Sequence, residues 1–271
     1  MRRASPCLVV ACLLLSLPGT GQAETFQAKH ARVELLSQSS APGIQLWLGL
    51  HFVLEKDWHI YWVNPGDSGQ PPVLKWQLPT GFTAGEIQWP MPEKLKHSTL
   101  ADYGYQDHAV LLVPIHIPGS FKAGTKADIG LQAKWLICRE ICIADHAELH
   151  LALPDQNRSS LIDEARKRLP RPWPRSWRAS VASEKDDLVL SIVTGRPIQT
   201  AEFYPLTPEQ IDNAAAQPVQ TNPRGAKIRL RKSDQLLKPI SVLKGLLVLG
   251  NGEAYEMQAP VTANQAKAHN N

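Results

Sequence analysis

Hydrophobic and polar residues alternate along much of the chain, and the longest alternating run covers Gly43–Glu55. A period of two places its apolar side chains on one face of a strand that is half-buried in a sheet. Shorter runs of the same kind predict strands over Ala31–Leu36, Ile60–Val63, Val73–Gln77, Ala109–Ile117, Ile129–Ile137 and Ala147–Leu153. Turn-forming sequences separate several of them, at Asn64–Asp67, Pro79–Gly81 and Pro118–Ser120. Many short strands at this spacing are typical of a β-sandwich.

The alternating pattern typical of strands is interrupted by a helical segment in the second half of the chain. Ser159–Arg168 is predicted to be a helix, because Ser160 precedes Asp163 by three residues as in a capping box and Pro170 ends the run. A linker rich in Pro, Trp and Arg follows. Strand patterns then resume at Leu188–Val193, Thr200–Tyr204, Lys227–Leu230, Val242–Leu249 and Ala254–Met257. The sequence therefore predicts an all-β protein of two tandem β-sandwich domains, at 24–155 and 177–262, joined by a helix and linker at 156–176 and followed by a tail at 263–271.

The first 23 residues have the features of a secretory signal peptide. Two arginines precede the apolar run Pro6–Leu17, and small residues supply a cleavage site before Glu24. The run is too short to span a membrane. A lipoprotein signal ending at Cys12 is less favoured, because the apolar run continues beyond it. Cleavage would leave Cys138 and Cys142 as the remaining cysteines, in a periplasmic compartment where disulfides persist.

These two cysteines are the most informative feature of the sequence. Four residues of straight strand span about 13 Å, whereas a disulfide allows at most roughly 7 Å between Cα atoms. If the pair is bonded, the chain must turn or coil between the two cysteines. A tight turn at Arg139–Ile141 is expected, because one strand ends near Ile137 and the next begins near Ala147. Closing so small a ring would stabilise the protein by only about 2 kcal/mol. The spacing thus favours a reversible redox pair over a structural cross-link.

A metal site is the main alternative for this region. Cys138, Cys142, His146 and His150 recur every four residues. On a helix they would form one stripe, which cannot converge on a tetrahedral ion, and the alternation of Ala147–Leu153 indicates a strand instead. The two cysteines with one histidine could still hold copper or zinc. A copper-handling module therefore stays open as a second hypothesis, whereas the redox hypothesis requires no cofactor and no resident metal.

Composition narrows the class of function further. The chain has 29 basic and 25 acidic residues, which is not the charge balance of a nucleic-acid binder, so no nucleic-acid partner is expected. No acid–base pair, nucleophile triad or phosphate loop is recognisable, and Asp102 and Asp107 do not form a convincing carboxylate pair. Core packing is the favoured interpretation of the aromatic cluster, with a sugar-stacking platform as a weaker third hypothesis. That cluster comprises Trp47, Trp58, Trp62, Trp76 and Trp89.

Three segments together carry a resemblance to a known family. They are WHIYWVNPGDSGQPP at Trp58–Pro72, DYGY at Asp102–Tyr105 and WLICREIC at Trp135–Cys142. In this order they resemble the periplasmic N-terminal domain of DsbD/ScsB-like thiol:disulfide interchange proteins. The match is good over residues 58–145 and looser in the β region that follows. Each segment alone would be weak, but the combination is specific.

The resemblance implies an immunoglobulin-like domain whose cysteine pair, here Cys138 and Cys142, cycles between dithiol and disulfide in a protein-disulfide reductase reaction. In better-known members a short aromatic cap loop covers the pair. The matching segment is Leu100–Tyr105, so Tyr103 or Tyr105 is the expected cap. The three-residue spacing between the cysteines fits the ScsB-like branch better than DsbD. The acidic residues beside the DsbD cap have no clear match, so no proton-transfer residue is carried over.

The resemblance also implies partners. Full-length members continue into a multi-helix membrane domain and a thioredoxin-like domain, and this sequence has a counterpart of neither. Electrons are therefore expected from a separate membrane donor of the DsbD, ScsB or CcdA type. The expected recipients are periplasmic thioredoxin-like or disulfide-isomerase-like proteins, in processes such as cytochrome c biogenesis or copper tolerance. The predicted function is periplasmic thiol–disulfide exchange.

Overall fold

The computed structural model describes residues 25–38, 45–122, 124–153 and 160–263, so the predicted signal peptide and residues 264–271 of the predicted tail lie outside it. The strands of the first half are β1 (Thr25–Ala28), β2 (Ala31–Gln38), β3 (Leu46–Leu54), β4 (His59–Gly66), β5 (Val73–Gln77), β6 (Thr83–Ala84), β7 (Glu93–His97), β8 (Leu100–Gln106), β9 (His108–His116), β10 (Ala127–Cys138) and β11 (Cys142–Leu153). Helix α1 (Ser160–Lys167) precedes β12 (Arg178–Ser183), β13 (Asp187–Val193), β14 (Ala201–Pro205), β15 (Val219–Asn222), β16 (Gly225–Arg231), β17 (Val242–Leu249) and β18 (Ala254–Ala263).

The first half of the chain is a β-sandwich, as predicted. One sheet has the strand order β1-β2-β3-β9-β6, and the other has the order β11-β10-β4-β8-β7 with β5 paired to β10. The apolar residues that alternate along β3 all lie in the core between the sheets, because a strand with one buried face points every second side chain inward. They are Leu46, Leu48, Leu50, Phe52 and Leu54.

The second half forms a seven-stranded arrangement in the order β14-β17-β18-β12-β13-β16-β15 around its own hydrophobic core. The predicted helix is confirmed as α1, whose Ile162 and Ala165 pack against Leu112 on the outside of the first sandwich. The predicted linker is bound to the second unit, because the backbone of Arg171 forms hydrogen bonds with the backbone of Ala254 and Glu256 in β18. The described residues are thus all-β apart from one short helix.

The two β units also contact each other. Tyr204 and Leu246 of the second unit pack into the core of the first. The buried Asn64 side chain donates a hydrogen bond of 2.7 Å to the carbonyl oxygen of Pro205. The domain boundaries at 155 and 177 stay a prediction, because packing crosses between the two units.

Predictions for segments in strands β4 and β8 are wrong. Strand β4 continues through Asn64–Gly66, which was expected to be a turn, with a register shift against β8 between Tyr61 and Gly66. The segment expected to be a cap loop, Leu100–Tyr105, lies within strand β8. Gly104 allows this close pairing, because a Cβ atom there would lie 2.3 Å from the carbonyl oxygen of Ile60.

Candidate functional site

The two cysteines lie at the tip of the longest hairpin of the described structure. Strands β10 and β11 pair antiparallel from Ala127 and Leu153 to Cys138 and Cys142, which are directly opposite each other. The cysteines form a disulfide with a Cα–Cα distance of 4.2 Å. The predicted turn at Arg139–Ile141 is confirmed, although β11 begins at Cys142 and not near Ala147. The strand ladder therefore places the two cysteines directly opposite each other, next to the turn.

The two cysteines differ in their access to solvent. Cys138 is 2% exposed, whereas Cys142 is an exposed residue. Ile141, next to Cys142, is 65% exposed, which is unusual for a large apolar side chain. The guanidinium group of Arg139 lies 5.3 Å from the ring centre of Trp58. A protein approaching the tip therefore meets Cys142 beside an apolar and a cationic side chain.

Strand β4 places two polar side chains beside the disulfide. His59 pairs with Cys138, so both side chains lie on the same face of the sheet. Tyr61, two residues further along, is on that face too, and its hydroxyl oxygen lies 3.6 Å from Cys142 Sγ. Burial raises the pKa of Tyr61, so the phenol keeps its proton near neutral pH. Tyr61 is therefore a hydrogen-bond donor within reach of Cys142 Sγ.

The Tyr61 hydroxyl belongs to a short polar chain. It lies 3.4 Å from Ser68 Oγ. Ser68 donates from its hydroxyl and its backbone N–H to the Asp102 carboxylate, at 2.8 and 2.9 Å. Since the Ser68 proton goes to Asp102, the Tyr61 proton is directed either to Ser68 Oγ or to the sulfur.

The loop that contains Ser68 is fixed from both sides. The Asp67 carboxylate accepts hydrogen bonds from the Ala101 N–H of β8 and from the Asn213 side chain of the second unit, each at 2.7 Å. Gly69, two residues on, lies directly over the Tyr61 ring: a Cβ atom at Gly69 would be 2.1 Å from Tyr61 Cζ. The segment Asp67–Gly69, defined here as the Tyr61 loop, therefore holds the tyrosine in place.

Replacing Gly69 with alanine is expected to displace this loop, because the position combines a φ of +74° with the contact to Tyr61. We expect a loss of stability of about 2 kcal/mol, measured by denaturant unfolding. Gly252→Ala is the matched control, since Gly252 has a φ of +82° and open space around it. Equal losses in the two variants would show that Gly69 does not hold Tyr61.

The tyrosines predicted to cap the cysteine pair lie in the core. Tyr105 donates a hydrogen bond of 2.7 Å to the Pro90 carbonyl oxygen. The Tyr103 ring packs against Trp62 and Tyr204. Both residues point inward from β8, which β4 separates from the cysteine-bearing strand β10. The aromatic residue beside the sulfurs is instead Tyr61, which lies within the segment Trp58–Pro72 but was not singled out from the sequence.

Potential metal ligands also differ from the predicted set. Among the described residues, one group brings three such side chains together, and it consists of His59, His97 and Asp102. It contains neither cysteine. The predicted alternative of Cys138, Cys142 and a histidine requires reduced cysteines, which are bonded to each other here, so it stays a prediction.

Comparisons with known proteins agree with this geometry. Residues 29–154 match the family model described as "Thiol:disulfide interchange protein DsbD, N-terminal". The crystal structure of the N-terminal periplasmic domain of ScsB from Proteus mirabilis superposes with a TM-score of 0.68 at 16% identity, covering 88% of this chain and 98% of that chain. The shared fold therefore extends over both β units. No curated protein sequence matches this chain. In the described ranges, no helix has the length and apolarity needed to cross a membrane.

Proposed function

Because residues 29–154 form a DsbD-like N-terminal domain that carries the Cys138–Cys142 disulfide, we propose that this protein passes reducing equivalents to partner proteins by thiol–disulfide exchange. The position of the disulfide carries this proposal. The bond closes a ring of only about five residues, so it constrains the unfolded chain little, and it joins two residues that are directly opposite each other in the strand ladder. Its exposed end at Cys142 is open to attack by a thiolate.

The unequal exposure of the cysteines supports an order of steps. In the reduced protein the Cys142 thiolate attacks a partner disulfide, forms a mixed disulfide and releases one partner thiolate. The Cys138 thiolate then attacks Cys142 Sγ, re-forms the internal disulfide and releases the second partner thiolate. The partner ends as a dithiol and this protein as a disulfide. An electron donor runs the same steps in reverse, with its thiolate attacking Cys142 Sγ first.

Tyr61 supports the reduced state in this scheme. When Cys142 becomes a thiolate, its sulfur is a stronger acceptor than Ser68 Oγ, and the Tyr61 hydroxyl can donate to it. A hydrogen bond to the charged form lowers the pKa of a thiol. The Tyr61 loop keeps the phenol in position for this role.

Replacing Tyr61 with phenylalanine is expected to slow exchange about fivefold, because a hydrogen bond of about 1 kcal/mol to the sulfur is lost. The pH profile of Cys142 alkylation in the reduced protein should shift to higher pH. Tyr105→Phe is the matched control, since it removes a buried hydroxyl that donates to Pro90. Identical alkylation profiles for the two variants would contradict the role of Tyr61.

The surroundings of the hairpin tip support protein partners. Ile141 and Val73 are exposed apolar residues, and a cleft lined by Pro71, Val73 and Ala144 runs along the same hairpin. We place the protein in the periplasm, with reducing equivalents supplied in trans by a membrane donor and received by thioredoxin-like proteins. The periplasmic origin of the structurally similar ScsB domain supports this location.

A single-turnover experiment tests the proposed function. The reduced protein is mixed with an oxidised thioredoxin-like protein, the reaction is quenched with an alkylating reagent, and both masses are measured. We expect one internal disulfide in this protein for each dithiol that forms in the partner. The proposed function would be contradicted if the reduced protein stays folded but reduces none of several thioredoxin-like partners.

A further inference from the structure

Three strands of the six-stranded sheet bring His59, His97 and Asp102 together, on the face that carries the disulfide. His59 begins β4, His97 ends β7, and Asp102 lies on β8 between them in the sheet. One potential ligand atom from each residue lies within 4.8 Å of the other two. His97 Nε2 is 4.0 Å from Asp102 Oδ2. His59 thus lies close to two residues that follow it by 38 and 43 positions in the sequence.

His59 is the unusual member of this group. It is 2% exposed, yet within the described part of the chain neither ring nitrogen has a hydrogen-bond partner. Buried polar atoms are nearly always paired, so an imidazole with two unpaired nitrogens calls for a ligand. A neutral imidazole has the lone pair that metal coordination requires.

We propose that His59, His97 and Asp102 bind one borderline divalent cation, Zn²⁺ or Cu²⁺. Two imidazoles and a carboxylate suit these ions, whereas Mg²⁺ and Ca²⁺ prefer oxygen ligands alone. Three protein ligands leave a fourth position open. His97, 44% exposed, provides the route by which the ion enters from solvent.

The surroundings of Asp102 match those of a metal-ligating carboxylate. Ser68 fixes both carboxylate oxygens through its hydroxyl and N–H donors, as outer hydrogen-bond partners do in metal sites. Bonds of 2.0–2.1 Å at tetrahedral angles would bring ligand atoms to about 3.4 Å from each other. His97 is followed by the turn at Ser98 and Thr99, and its exposed side chain can move inward by the roughly 1 Å required.

The site contains neither cysteine, although Asp102 accepts hydrogen bonds from Ser68 beside Tyr61. Metal binding can therefore be tested while the cysteines stay bonded to each other. The protein is kept fully oxidised so that no thiol can bind metal, stripped with a chelator and titrated by calorimetry with Zn²⁺, Cu²⁺ or Mg²⁺. We expect one equivalent of Zn²⁺ or Cu²⁺ and no binding of Mg²⁺. Zn²⁺ should also raise the melting temperature, because it binds the folded state.

Variants identify the ligands. His97→Ala and Asp102→Asn should each weaken Zn²⁺ binding at least tenfold. His97 is half-exposed, so its replacement decides the question if Asp102→Asn fails to fold. His146→Ala, which removes an exposed imidazole from β11, should bind as the parent does. In the parent, Zn²⁺ should shift the imidazole resonances of His59 and His97. No binding by the oxidised protein, or binding that His97→Ala leaves unchanged, would overturn the proposal.

Discussion

Replacing Cys142 with serine is expected to abolish thiol–disulfide exchange, whereas replacing Cys138 with serine is expected to trap a mixed disulfide with the partner. Cys142 is the exposed residue that can reach another protein, and Cys138 is buried behind it. Without Cys142 no attack occurs. Without Cys138 the first attack proceeds, but no internal thiolate is present to resolve the intermediate.

Mass spectrometry of the non-reduced products measures this difference directly. The Cys138→Ser variant should yield a covalent adduct with an oxidised thioredoxin-like partner, and the adduct should disappear on reduction. The Cys142→Ser variant should yield none. The opposite result, with an adduct through Cys138 alone, would show that the buried cysteine is attacked first and would contradict the proposed order.

Replacing Trp62 with alanine is expected to cost about 3–5 kcal/mol of unfolding free energy, because a large aromatic ring leaves the core. Trp62 is 1% exposed and packs edge-on against Tyr103. Denaturant unfolding provides the value. Trp76→Ala is the control, since Trp76 on β5 is only partly buried and should cost less. Equal costs for the two variants would contradict the placement of Trp62 in the core.

The cysteines and Trp62 should have opposite effects on activity and stability. Removing both cysteines should cost no more than about 2 kcal/mol, since the ring is small and the hairpin ladder holds the tip. That variant should be inactive but folded. Trp62→Ala should keep part of its exchange rate at temperatures where it remains folded. A double-cysteine variant that fails to fold would show that the disulfide is structural.

Strands in which apolar and polar residues alternate strictly could be predicted from the sequence, because the alternation shows which side chains face the core. The strands Val73–Gln77 and Val242–Leu249 have the predicted bounds. Helix α1 begins at the predicted capping residue Ser160 and ends shortly before Pro170. Strand β8 was missed although Ala101, Tyr103 and Tyr105 alternate. The family resemblance had assigned this segment to a cap loop.

The neighbours of the disulfide could not be predicted, because they depend on strand register. His59 meets Cys138 only because β4 pairs with β10 at that residue. Tyr61 reaches Cys142 for the same reason, since it lies two residues after His59 and therefore on the same face of the sheet. No local pattern in the sequence encodes pairings over such separations. The cysteine spacing alone identified the pair, whereas the groups around it required the fold.

The claim that Cys138 and Cys142 are a reversible redox pair is tested most directly by equilibrating the protein with graded glutathione buffers and counting alkylated thiols by mass. The account predicts one two-electron transition with a midpoint above about −300 mV, the range of labile disulfides. The curve should be the same from oxidised and reduced starting material, with the fold retained throughout. A pair that stays oxidised in the most reducing buffer, or whose reduction unfolds the protein, would contradict the account.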